Sequence, residues 1–182
     1  MTRTTAARLG GFTFLFYIAV GIGSMAMGLH GLARTLATAA QNGSAIVLAL
    51  TLYIVTQAEN RLLATLGMLL RLGEGLLGPI TTVAGITLAR PTLIDATLFA
   101  MGSLFFCWLL LRGRMIPAAL ARIGLVASVI LVVGLPLQLA GMLGAAIAQL
   151  MWMPMLAFEV PVGVWLMVKA VPPDAHARLQ ER

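Results

Sequence analysis

The sequence predicts an all-α, polytopic membrane bundle of six spanning helices with a kinked final helix. Hydrophobic residues make up 60% of the 182 residues and charged residues only 10%, against roughly 45–50% and 25% in a soluble domain. The apolar residues also fall into segments near the ~20 residues that a spanning helix requires. Short clusters of polar residues, proline and glycine separate these segments, so the expected architecture is a single membrane domain over residues 1–182 with short connections.

The first span is placed at 11–33, in GFTFLFYIAVGIGSMAMGLHGLA. Its apolar run is longer than the 7–15 residues of a signal-peptide core, and more spanning material follows, so it is read as retained. The second, at 38–56, ends at a polar turn containing Gln57, Glu59, Asn60 and Arg61. The third, at 62–88, carries Arg71 and Glu74 in LLRLGEGLLG, with Pro79 further along. Pro91 disfavours helix at Arg90 and lacks its own donor, which ends that segment.

The fourth span, at 93–111, has Asp95 near its start and leads into the basic connector LRGRMIP. The fifth, at 118–139, tolerates Arg122 because a long side chain there can snorkel to the headgroups. The sixth, at 142–170, contains Glu159 between Pro154 and Pro161, and prolines that leave carbonyls unpaired predict a bend. Ser24-x-x-x-Gly28 and Gly141-x-x-x-Ala145 are read as small faces for close helix approach.

Six alternating spans gather Arg3, Arg8, Arg61, Arg112, Arg114, Arg122, Lys169, Arg178 and Arg182 on one side, and Arg34 and Arg90 on the other. This positive-inside asymmetry predicts an inner-membrane protein with both termini cytoplasmic. The formal charge of +6 is therefore a topology signal, and nucleic acid is excluded as a partner because no soluble basic surface with stacking aromatics exists.

Three stretches resemble a family of small bacterial six-helix membrane proteins grouped only as a domain of unknown function. They are IVLALTLYIVTQAENRLLATLGMLLRLGEGLLG, LLRGRMIPAALARIGLVASVIL and PMLAFEVPVGVWLMVKAV. The resemblance carries an arginine followed three residues on by a carboxylate, a basic-glycine connector entering the fifth helix, and a final helix with an internal glutamate. It implies the fold and supplies no catalytic residues.

Function must then be read from the charged exceptions inside the spans. Arg71 and Glu74 share a helical face at i,i+3, and Glu159 is central in the last span. Intramembrane charge is expensive and is placed against partners, cavities or paths, so Arg71 is expected to pair with Glu74, Glu159 or both. Such a set can act as an ion-pair network fixing helix register, or as a ligand site or ion path. His30, near the outer end of the first span, is a further candidate.

No metal site is expected. Cys107 stands alone in LFFCWLL, the only histidine besides His30 is His176 in the tail, so a bis-histidine haem between helices lacks its ligands, and the alternating Met151, Met153 and Met155 do not share one face of an uninterrupted helix. No familiar enzyme signature is present, so catalysis is not the favoured reading and no cofactor is implied. The leading expectation is recognition of a small or lipophilic ligand, or of a membrane-protein partner or second copy, in a pocket within the bundle. The alternative is a channel or proton/ion-coupled transporter using Arg71, Glu74 and Glu159. The lipid bilayer is the one partner common to both.

Overall fold

A computed structural model describes residues 1–169. The expected end of the sixth span at Ala170 and the tail residues His176, Arg178 and Arg182 lie outside the described residues. Seven helices form among the described residues: α1 (Arg3–Ala26), α2 (Gly31–Thr56), α3 (Arg61–Val83), α4 (Pro91–Arg112), α5 (Ala118–Leu139), α6 (Ala145–Leu150) and α7 (Met153–Val168). Taken with α6 and α7 as one crossing over Ala145–Val168, six are long and apolar enough to span a membrane. No strand occurs among the described residues.

Local chemistry sets the helix ends. The Thr2 side chain accepts from Thr5 N at 3.2 Å and Asn60 Oδ1 accepts from Leu63 N at 3.0 Å, so each satisfies a donor that the first turn leaves unpaired. Pro91 opens α4, where its missing N–H costs nothing. The Thr2 cap starts α1 at Arg3, well before the expected Gly11, and Arg3 Nε donates to Val55 O at the end of α2 at 2.9 Å. Similarly, α2 begins at Gly31 rather than 38, and α3 ends at Val83 rather than 88, ahead of Gly85 at φ +66°.

The last crossing is bent by 13°. Its break falls at Met151 and Trp152, before either proline. Pro154 sits in the first turn of α7, where a donor is not required, whereas Pro161 lies inside the helix and removes one i→i−4 bond.

The crossings form a closed ring: each of α1 to α5 packs on the next, α5 packs on α7, and α7 packs back on α1. Closure depends on two glycines. A Cβ on Gly11 would lie 2.5 Å from Gly163 O, and one on Gly163 would lie 3.1 Å from Gly11 O. The small-residue pairs expected to serve this purpose do not, because Gly28 (φ +54°) and Gly141 (φ +76°) are positive-φ turn residues with open space around them.

Burial is uneven along the ring. The end carrying Arg3, Arg61, Arg112 and Lys169 is here called the basic end. In α1 no residue beyond Phe14 is buried, in α2 none before Ser44, in α3 none beyond Gly75, and in α4 none before Phe99. These four helices therefore pack tightly only in the half nearer the basic end. At that end Arg112 Nε meets Glu59 Oε1 at 3.0 Å, but Arg112 is 59% exposed, and a pair so solvated contributes at most about 1 kcal/mol.

The glycine closure makes a paired prediction for thermal unfolding in detergent. Gly11→Ala should destabilise by about 1–3 kcal/mol, as overpacking against rigid backbone does. Gly43→Ala, inside α2 with nothing within 4 Å of the added methyl, should be neutral or stabilise by up to about 1 kcal/mol.

Candidate functional site

The buried stripe of α3 consists of Ala64, Gly67, Arg71, Glu74 and Gly75, one helical face that points into the ring. Arg71 is 1% exposed and is the largest fully buried side chain among the described residues. Small residues on neighbouring helices make this possible. A Cβ on Gly102 would stand 2.7 Å from Arg71 Cγ, so the absence of a side chain on α4 leaves room for the aliphatic stem. On α3 itself, Gly75 lets α2 approach, since a Cβ there would lie 2.9 Å from Asn42 O.

The guanidinium has two partners. Nη1 lies 2.8 Å from Glu74 Oε2, and Cζ sits 4.5 Å from the centre of the Phe99 ring, a cation–π contact strengthened by desolvation. The ion pair is short but not aligned as a hydrogen bond: Arg71 Nε and Nη1 and Glu74 Oε2 are buried without a hydrogen-bond partner among the described residues. The other Glu74 oxygen accepts from Tyr17 Oη of α1 at 3.3 Å. Phe99 in turn meets Trp152 at 5.9 Å between ring centres, which ties the arginine's aromatic support to the break between α6 and α7.

Glu159 on α7 is 6% exposed. It makes no ion pair or hydrogen bond among the described residues, yet it borders the same small cavity as Arg71, together with Phe14, Leu52, Ser103, Phe106, Cys107, Leu110 and Phe158. That cavity measures about 10 Å³, the size of roughly one water molecule. Of the two pairings expected for Arg71, the structure forms the one with Glu74, while Glu159 faces the arginine across the cavity. Its helix is held close by Gly124 of α5, where a Cβ would lie 2.6 Å from the Phe158 ring.

His30 is not brought into this cluster. It is exposed at the start of α2, with no side-chain capping bond. Cys107 is buried and receives a long contact of 3.9 Å from Ser128 Oγ. No group of three or more His, Cys, Asp or Glu side chains suited to a metal occurs among the described residues.

Tyr17, Phe99 and Gly102 were not singled out from the sequence. Tyr17 is the one tyrosine of the first span, a signal that could have marked it. Nothing local distinguishes Phe99 or Gly102 from other phenylalanines and glycines of a membrane helix.

Residues 91–170 match the family model described as Domain of unknown function (DUF4386). The matched region holds α4 to α7, with Phe99, Gly102 and Glu159, and stops short of Arg71 and Glu74. The later part of the chain is thus similar to a family of unknown function, in keeping with the sequence resemblance. No curated protein and no solved structure matches the chain.

The geometry makes Arg71 and Glu74 energetically interdependent. Arg71→Met should lower stability by about 3–5 kcal/mol, because it strands a buried carboxylate. Adding Glu74→Gln should restore much of the loss, a coupling that a double-mutant cycle in detergent would read. Tyr17→Phe removes a single long bond to a carboxylate and should cost no more than about 1.5 kcal/mol.

Proposed function

We propose that this is a bacterial inner-membrane protein, with both termini cytoplasmic, that moves protons, alone or coupled to a solute, through the Arg71–Glu74–Glu159 centre. The observation that carries this reading is the second carboxylate. One guanidinium is already paired with Glu74, and Glu159, which has no hydrogen bond or ion pair among the described residues, borders the same cavity. A carboxylate so deeply buried requires a cation or a proton to offset its desolvation. A cavity of about 10 Å³ admits a water and a proton and leaves no room for a metabolite.

That size also ranks the alternatives. Ligand pockets measure roughly 300–1,000 Å³, so recognition of a small or lipophilic molecule within the bundle would need the helices to move apart. Intramembrane carboxylates facing the interior of a bundle are the groups from which proton relays are built, and Glu159 beside the Arg71–Glu74 pair is such a group.

Reconstitution tests the proposal. Proteoliposomes under an imposed pH gradient, read with an entrapped pH-sensitive dye, should dissipate it faster than protein-free vesicles. Glu159→Gln should slow the initial rate by about tenfold or more, equivalent to at least ~1.4 kcal/mol of barrier, while eluting as a folded species. Equal rates for the wild type and protein-free vesicles would reject proton movement. A Glu159→Gln variant that assembles and conducts normally would assign Glu159 to packing. For orientation, a phosphatase reporter inserted at 84–90 should be active and one at 57–60 inactive.

A further inference from the structure

The connector between α4 and α5, at the basic end, concentrates charge that the Arg71–Glu159 centre does not use. Arg112, Arg114 and Arg122 are all exposed there. Arg112 meets Glu59, whereas the side chains of Arg114 and Arg122 make no hydrogen bond or ion pair among the described residues. Glu59 is the one acidic side chain at this end among the described residues, so the hairpin keeps an excess of positive charge.

Backbone bonds and buried anchors hold the connector in one shape. Gly113 N donates to Leu109 O at 2.9 Å, Arg114 N to Leu111 O at 3.2 Å and Met115 N to Leu110 O at 3.0 Å, which satisfies the last carbonyls of α4. Met115 folds back against Gly113, where a Cβ would lie 2.5 Å from Met115 Cε, and Met115 and Ile116 are both buried. Arg112 and Arg114 thus project from an anchored turn.

Arg114 passes this turn at φ +50°, in the left-handed region. The other positive-φ positions among the described residues, Gly28, Gly31, Gly85 and Gly141, are all glycine, as the missing Cβ favours. Arginine here is therefore costly to the fold, and strain kept at an exposed charged side chain points to a use outside folding.

Arg122 stands one turn into α5. Helical side chains lean towards the N-terminus of their helix, so its guanidinium leans back towards the connector. Val126, Val129 and Val133 follow it at i+4, i+7 and i+11 on one face of α5, and all three are exposed. On α4, Trp108 is exposed one turn before Arg112, a placement that tryptophan favours at a membrane interface. The hairpin thus sets guanidinium groups at the head of an apolar stripe, the same order of chemistry as a phospholipid, with phosphate first and acyl chain after. A guanidinium fork also matches the paired oxygens of a phosphate.

We infer that the α4–α5 hairpin binds an anionic phospholipid, its phosphate held by Arg114 and Arg122 and an acyl chain laid along Val126, Val129 and Val133. A zwitterionic lipid brings its own ammonium to the same place, which two arginines repel, so the site selects a net negative headgroup. It is separate from Arg71 and Glu159 and holds whether or not that centre moves protons.

Lipid titration of the detergent-solubilised protein, read by native mass spectrometry, tests the site with phosphatidylglycerol and phosphatidylcholine of matched acyl chains. The first phosphatidylglycerol should bind about tenfold tighter than the first phosphatidylcholine, as two basic residues beside an anionic headgroup supply. Arg114→Gln combined with Arg122→Gln should remove that preference. Arg8→Gln combined with Arg34→Gln takes the same charge from exposed arginines elsewhere and should leave it within about twofold. Arg114→Gly separates binding from folding, since it should raise the thermal midpoint by relieving the left-handed residue and yet weaken phosphatidylglycerol binding. Equal losses in the two double variants would reveal diffuse charge attraction and overturn the site, as would an Arg114→Gly protein with undiminished affinity. Inorganic phosphate that displaces phosphatidylglycerol as well as the lipid displaces itself would assign the hairpin to a soluble anion and overturn the lipid reading.

Discussion

Burying the charge of Arg71 is the constraint on which the other features of the interior depend. A guanidinium at the centre of a spanning helix costs about 2.5–3.5 kcal/mol on insertion scales, and the fold meets that cost from several helices together. Its own helix supplies Glu74 one turn along. Helix α4 supplies both the Phe99 face and the gap at Gly102. Tyr17 of α1 occupies the remaining Glu74 oxygen. Rotating α3 to turn Arg71 away would break all of these contacts, so they hold α3 with this face inward.

The same constraint leaves a charge imbalance. One arginine faces two carboxylates, and Glu74 takes the closer position, so Glu159 is the group whose charge is least compensated by the protein. The pair would be of little interest if both carboxylates were bonded to Arg71, because a saturated network is a rigid strut. Instead Arg71, whose donors are misaligned, and Glu159, which has no ion pair among the described residues, border one water-sized cavity.

Much of this was legible in the chain itself. The crossings could be recognised because helical hydrogen bonds are satisfied within each segment, so a spanning helix in lipid needs only its own apolar length and a break at either end. That Arg71 and Glu74 share a face followed from an i,i+3 spacing for the same reason, whereas the choice between Glu74 and Glu159 as its partner did not. Boundaries were less legible where a cap outweighs hydropathy: Thr2 carries α1 back to Arg3, and the position of Pro154 in the first turn of α7 moves the break to Met151 and Trp152.

Residue type, spacing and charge placement were thus sufficient for the helical class, the number of crossings, the basic asymmetry and the three charged residues of the interior. The closed ring, the Gly11–Gly163 contact, the Tyr17 bond to Glu74, the support of Phe99 and the separation of Glu159 from the ion pair came only from the folded molecule. The physical reason is that the first group arises within single helices, whose geometry repeats every 3.6 residues. The second arises between helices distant in the chain, where crossing geometry and side-chain volume decide which groups meet.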